Sequence, residues 1–351
     1  MTPVGSPKPV DALDSAGQQP TATVSAPQSG REFAPARPIW QVLLIRPETV
    51  TLALLIGAII VGSQLSRFFL DISYILESST LYSEYSIVAL MLTLVIISGE
   101  IDLSPASMMA LSACVFASVF QAGAPIWLAI LASFACGLAM GAFNAILVIG
   151  FRLPSIIVTI GTLTLYRGLA QVLAGDRSIS HFPDWFVGID YREILDVPVP
   201  VILFTVAAII VGLFLGMTIP GRQIYQIGTN EIAARHAGIR VQRIKAGLFV
   251  GMGLVASLAG LITASRLASV RYDMATGGEL QMVLMVMLGG TYIFGGRGTI
   301  LGTFLASWLL VIIATGMTVA NIVVTSQLIV MGVLLITSII ATNAIYARSQ
   351  R

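Results

Sequence analysis

The chain has 351 residues, of which 56% are hydrophobic and only 10% charged, with a mean hydropathy of +0.92. A soluble globular domain carries about 25% charged residues, so this composition excludes one and specifies a polytopic membrane protein. A net charge of +2 is too small to argue for nucleic acid, and Cys114 and Cys136 fall inside apolar runs, with neither a disulfide framework nor metal spacing.

Residues 1–38 are rich in Pro, Ser, Ala, Gly, Thr and Gln. Such a segment cannot offset its chain entropy and is expected to be a disordered tail, with 39–351 as the transmembrane domain. It lacks the short apolar core and cleavage site of a secretory signal. Apolar spans near the ~20 residues that a bilayer core demands follow at about 49–68, 81–99, 105–120, 126–150, 156–174, 199–217, 245–265, 280–294, 300–319 and 322–345. The expected fold is therefore all-α, a helical bundle of about ten spans, eight to ten if the short or closely joined ones merge. With the N-terminus in the cytoplasm, inner segments collect Arg37, Arg46, Arg152, Arg222, Arg235, Arg240, Arg243, Lys245, Arg297, Arg348 and Arg351. The outer set is Arg67, Arg167, Arg177, Arg192, Arg266 and Arg271, and the acidic connection 175–198 also suits the outside. Positive charge favours the inner side, so both termini are expected in the cytoplasm.

Several spans carry polar groups. Between the second and third lies Ser98-Gly99-Glu100-Ile101-Asp102-Leu103-Ser104-Pro105-Ala106-Ser107. Ser104 before Pro105 reads as an N-cap with proline at the first helical position, so the chain breaks and restarts with Glu100 and Asp102 at the break. Ionisable groups at membrane depth usually face a cavity or a partner, and a broken helix end aimed at a pathway is a transporter device. A solvated cytoplasmic turn is the alternative. Asn144, in the fourth span, reads as interhelical glue. Thr159, Thr162 and Thr164 in the fifth either satisfy backbone carbonyls or line a path for a hydroxylated solute, and Arg167 reads as a snorkelling side chain. The eighth span, opening at Glu279, holds Gly289-Gly290 and Gly295-Gly296, and a break there must be covered by protein.

The polar, basic stretch 221–245 lies between apolar spans. Thr229 and Asn230 offer an N-cap, Glu231 sits in the first turn, and Gly238 supplies a stop. Two turns of helix cannot persist alone in water, so this segment is expected to dock, as a plug gripped by another protein. Lys8 and Lys245 are the only lysines and neither follows a Gly-x-x-x-x-Gly stretch, so no P-loop can be drawn. With His181 and His236 the only histidines, no Ser-His-Asp or Cys-His arrangement emerges. The chain is not expected to be an enzyme, and no cofactor or metal is implied.

These residues resemble the membrane permease subunits of bacterial ATP-binding-cassette sugar importers, the ribose, xylose, galactose and rhamnose group, over about 49–346. That family's signature T-G-G-I-D-L-S-V-G-S is matched at Asp102, Leu103, Ser104 and Ser107, with departures at Glu100, Pro105 and Ala106. Leu153-Pro154-Ser155-Ile156-Ile157-Val158-Thr159-Ile160-Gly161-Thr162 is similar to its fifth-span motif. The run Gly228-Thr229-Asn230-Glu231-Ile232-Ala233-Ala234-Arg235-His236-Ala237-Gly238-Ile239 is similar to its coupling helix. Leu288-Gly289-Gly290 and Phe294-Gly295-Gly296-Arg297-Gly298 resemble its glycine-rich eighth segment, with Tyr292 where a small polar residue is usual. Ser107-Met108-Met109-Ala110-Leu111 and Ser269-Val270-Arg271-Tyr272-Asp273-Met274-Ala275 are most similar to the rhamnose-type branch.

The resemblance implies a permease in the bacterial inner membrane that carries a monosaccharide, such as a pentose, hexose or deoxyhexose. Its implied partners are an ATPase subunit on the cytoplasmic face, a periplasmic sugar-binding protein and a second permease subunit. Asn230, Glu231, Ala233, Ala234 and Gly238 would couple to the ATPase. Glu100, Asp102, Ser104, Asn144, Thr159, Thr162 and Glu279 are the candidate pathway residues. The alternatives are a non-sugar cargo (autoinducer, nucleoside or amino acid), an ion-coupled secondary transporter using Glu100 and Asp102, and, least favoured, a membrane-embedded enzyme.

Overall fold

A computed structural model describes residues 47–65, 67–189 and 191–349; the expected tail at 1–38 lies outside them. The ten apolar stretches all become helices. The first four are α1 (Pro47–Leu65), α2 (Ile72–Ile97), α3 (Pro105–Gln121) and α4 (Ile126–Ala145), the last continuing through a π-helical turn at Ile146–Gly150. Then come α5 (Ser155–Ala174), the short α6 (Asp184–Val187) and α7 (Val199–Met217). Two further short helices, α8 (Ile219–Thr229) and α9 (Glu231–His236), precede α10 (Val241–Leu267). The chain ends with α11 (Gly278–Leu288), α12 (Ile300–Val319) and α13 (Val324–Ser349).

Among the described residues seven helices are long and apolar enough to cross a membrane, while α1, α3 and α11 contain shorter apolar helices. The centre of the bundle is α2, which packs against α7, α10, α11 and α12, and whose run Ile87–Ile97 is buried almost throughout. α10 and α12 also lie mostly inside, whereas α4, α5, α7 and α13 keep most of their spans at the periphery. An apolar outer face, with Ile157, Val172, Ile210 and Ile336 exposed, suits hydrocarbon rather than water.

Two spans differ from expectation. α2 starts at Ile72, earlier than the apolar run, with Asp71 accepting a 3.0 Å bond from Ser73 N as its N-cap. Its first turns carry Glu77 and Glu84, which lower the local hydropathy. Glu84 is fully buried, and its Oε1 accepts from both Nε and a terminal nitrogen of Arg266 of α10, at 3.1 and 2.5 Å. The eighth span is halved. α11 has 11 residues, or ~16 Å at 1.5 Å per residue, about half a bilayer core. It stops at Gly289, where hydroxyls cover its open end: Thr51 of α1 donates to Leu288 O at 2.7 Å and Thr342 of α13 to Met287 O at 3.5 Å.

Close backbone approach joins α4 to α10. A Cβ at Gly137 would lie 2.3 Å from Gly253 O, and one at Gly253 would lie 2.0 Å from Gly137 O. Gly137 and Gly141 form a Gly-x-x-x-Gly face opposite Gly253 and Ser257, and Ser257 donates to Ser133 O at 3.1 Å. Without a hydrophobic drive between helices in lipid, such small-residue contact is what holds them.

The acidic connection after α5 folds back on the bundle. Strand β1 (Ile179–Ser180) pairs antiparallel with β4 (Ser269–Val270), and β2 (Glu193–Ile194) with β3 (Val197–Pro198). Phe182 and Phe186 pack against Phe116 of α3 in tilted pairs with centroids 5.1 and 4.9 Å away. An aromatic clasp thus closes this end.

Candidate coupling and pathway site

The opposite end is built on α8 and α9. Thr218 caps α8 by accepting from Gly221 N at 3.1 Å, and proline occupies its first turn. Ile224 and Ile227 are buried three residues apart on one face, so α8 lies against the bundle as an amphipathic helix. Tyr225 on α8 donates to Gly298 O at 2.7 Å. Burial raises the pKa of this hydroxyl first, with the nearby Glu48 carboxylate adding to it, which keeps the donor protonated.

Close packing anchors the end of α8. A Cβ on Gly228 would sit 1.8 Å from Ile97 O and 2.4 Å from Gly296 N. Those two backbone groups bond each other at 2.8 Å. Gly296, at φ +78, holds a left-handed turn that side chains disfavour. The end of α2, the end of α8 and the loop after α11 therefore meet backbone to backbone.

Asn230 then breaks the helix with extended backbone and accepts from Ala233 N at 3.0 Å, the N-cap of α9. Thr229 instead ends α8, its hydroxyl donating to Tyr225 O at 2.8 Å. The stop expected at Gly238 is present, with φ +81. Of the six residues of α9 only Ala234 is buried, packed with Ile227 and Val241. Ile232 is 70% exposed, and an apolar groove of about 380 Å³ lined by Tyr225, Ala233, Ala237 and Ile239 runs beside it.

Lys245 of α10 ties α9 to the break between α2 and α3. Its Nζ lies 2.5 Å from Glu100 Oε1 and 2.6 Å from Glu231 Oε2, and Arg235 holds the other oxygen of Glu231. At Glu231 partial desolvation would raise the pKa, but the Lys245 hydrogen bond and charge, helped by Arg235, outweigh it and hold the carboxyl below its ordinary value. Glu100 is thus paired with a lysine far along the chain.

Asp102 is fully buried. Its Oδ1 accepts from Ser104 N at 2.9 Å and from Ser104 Oγ at 2.6 Å. Ser104 itself makes no side-chain cap bond, because the carboxylate two residues earlier reaches the restarting helix first. The Ser104 hydroxyl accepts from Asn144 Nδ2 at 2.9 Å, and Tyr166 donates to Asn144 Oδ1 at 2.9 Å. Asn144 is interhelical glue, joining α3, α4 and α5. Asp102 Oδ2 has no hydrogen-bond partner among the described residues.

Thr159 belongs to the same region: its hydroxyl donates to Ile101 O at 3.2 Å, while Ser155 Oγ accepts from Ile101 N at 3.1 Å. Thr162 is one turn further: its hydroxyl donates to Thr159 O at 3.4 Å and lies within hydrogen-bond reach of the Tyr166 hydroxyl, beside the same network. The structure thus gathers Glu100, Asp102, Ser104, Asn144 and Thr159 at one end with Glu231. It does not bring Glu279 there. Glu279 opens α11 beside Gly278, whose Cβ would meet Tyr85, about half the length of α2 away from the break. Arg167 does not snorkel; it donates to Tyr272 O and Met274 O at 2.8 and 2.7 Å. What sequence reasoning missed is the Tyr166–Asn144 bond, the close backbone approach at Gly228 and the pairing of Lys245. A tyrosine on an apolar helix and a glycine before the cap were the available signals.

A bundle of helices long and apolar enough to cross a membrane, with broken elements at its core and a short exposed helix at one end, is the architecture of a polytopic membrane protein and fits a permease. Comparison with known proteins agrees. Residues 74–339 match the family model described as the permease component of the branched-chain amino acid transport system, and the chain belongs to that family. It is 35% identical over 281 residues to the autoinducer 2 import system permease protein LsrD of Klebsiella pneumoniae, covering 78% of this chain and 85% of that one. The protein of the same name from Escherichia coli is 32% identical over 309 residues, covering 86% and 94%. Neither is named for rhamnose, so the lean toward the rhamnose-type branch finds no support in them. No solved structure matches the chain.

Proposed function

We propose that this chain is the transmembrane subunit of an ATP-driven importer in the bacterial inner membrane, carrying a small hydroxylated solute of the autoinducer-2 or monosaccharide kind. The observation that carries the reading is α9. It is a six-residue helix with a built cap, one buried residue, an exposed Ile232 and an apolar groove at its side. A helix so short and so exposed is stable only when seated, and a separate ATPase domain is the partner that would seat it. The α9 end, with the chain termini, then faces the cytoplasm, and the aromatic clasp faces a periplasmic binding protein. A second permease subunit completes the pathway, and no chemistry is done on the solute.

Cargo is supported from two sides. The relatives' name favours autoinducer-2, while the signature around Asp102 resembles sugar permeases. Neutralisation of Glu100 by Lys245 favours ATP over an ion gradient, because it leaves that carboxylate engaged. The test is uptake of labelled autoinducer-2, rhamnose and ribose into vesicles holding the whole complex. ATP-dependent accumulation of one of them is expected, and Glu231→Lys should abolish it and loosen the ATPase. Accumulation driven by an ion gradient without ATP would refute the reading.

A further inference from the structure

Lys245 is where the coupling end and the membrane break touch. Its side chain is 9% exposed and that of Glu100 is 14% exposed, so this pair sits largely away from water. A buried charge is strongly unfavourable once its partner is removed. Here the pairing is redundant. If α9 shifts and Glu231 withdraws, Glu100 still neutralises Lys245 and Arg235 still holds Glu231. Neither arrangement strands a charge, so two positions of α9 can lie close in energy, as a two-position element requires. A cavity of about 330 Å³ beside the pair, walled by Arg152, Leu153 and Gln242, leaves the lysine room to follow.

Glu100 is firmly connected on its other side. The next residue, Ile101, is bonded to α5 at both its N–H and its carbonyl, through Ser155 and Thr159. Asp102 then begins the buried chain through Ser104 and Asn144 to Tyr166. A pull on Glu100 therefore acts on α3, α4 and α5 together.

We propose that Lys245 is the positioning residue that carries displacement of α9 to the α2–α3 break, its contact with Glu231 opening and closing in each cycle while its contact with Glu100 holds. This rests on reading the chain as an ATP-driven importer. With the contact closed, α9 and the break move as one body; with it open, the break relaxes. Lys245 acts through Glu100.

Two cysteine reporters in the full chain, assembled with its ATPase in membranes, test this. Ala237→Cys reports on α9 and Leu153→Cys on the wall shared with Glu100; the readout is labelling by a charged maleimide with and without ATP. In the parent, ATP should change both rates, by about tenfold for a coupling of ordinary strength. Glu100→Gln and Lys245→Met should keep the response at 237 and lose it at 153, and Lys245→Arg should restore it. If Lys245→Met fails to assemble, Glu100→Gln decides, since there Lys245 keeps Glu231. An unchanged response at 153 in Glu100→Gln overturns the relay and leaves the importer reading standing. A response at neither reporter in the parent overturns both.

Discussion

Gly228→Ala puts a single methyl group where three chain segments meet. The added carbon would lie 1.8 Å from Ile97 O and 2.4 Å from Gly296 N, both backbone atoms that no side-chain rotation can move. Carbon and oxygen need ~3.3 Å or more, so α8 must lift away by over an ångström or the 2.8 Å bond from Gly296 N to Ile97 O must break. Overpacking of this kind costs about 1–3 kcal/mol, and loss of the bond about 1 kcal/mol more. A destabilisation of about 2–4 kcal/mol is expected, localised where α8 carries α9. The assay is thermal unfolding of the purified chain in detergent, alongside ATP-dependent uptake and ATPase co-purification. Gly228→Ala should melt earlier, bind the ATPase weakly and transport poorly while still inserting. Gly57→Ala is the control, since nothing lies within 4 Å of its added carbon. Normal melting and uptake in Gly228→Ala would refute the backbone contact.

Three further outcomes follow from the same geometry. Gly253→Val should separate α4 from α10, where even one carbon meets Gly137 O at 2.0 Å; a loss of at least ~2 kcal/mol is expected in detergent unfolding. Tyr166→Phe removes the donor to Asn144 Oδ1 and should cost about 0.6–2 kcal/mol. The same unfolding measurement checks it, and Tyr166→Phe combined with Asn144→Leu should recover part of the loss by removing the stranded amide. Glu231, with its pKa below the ordinary 4.5, contributes stability that is fully present above that value and is lost as pH falls through the lowered one. The mobility of a spin label at Ala237→Cys should therefore stay constant from about pH 8 to 5 and rise only in stronger acid, and Lys245→Met should move the rise upward.

Much of this organisation was legible in apolar run length, because a bilayer admits few alternatives to helix. The break at 98–104 was marked by Ser104-Pro105, and the short helix α9 by Asn230 and Gly238. Polar residues misled where their partners were distant. Glu77 and Glu84 hid the first turns of α2, although Glu84 Oε1 pairs with Arg266, 182 residues away. The partner of Glu100 was hidden because nothing nearby in sequence announces Lys245, 145 residues on. α8 was concealed in a polar stretch, since Ile224 and Ile227 are too few to raise its hydropathy even though their spacing shows one buried face. The halved α11 was signalled by its glycines, but only the hydroxyls of Thr51 and Thr342 show how its open end is satisfied. Glu279 was grouped with the other candidates by residue type, and it opens α11 about half the length of α2 away from the break.

On the function proposed above, this chain is a passive conduit moved by a partner through α9. Reconstituting the purified chain in liposomes, alone and together with its ATPase and binding protein, measures it most directly. The account predicts uphill accumulation of labelled solute only in the complete assembly with ATP, and none from the chain alone under sodium or proton gradients. Uphill accumulation by the chain alone would contradict it.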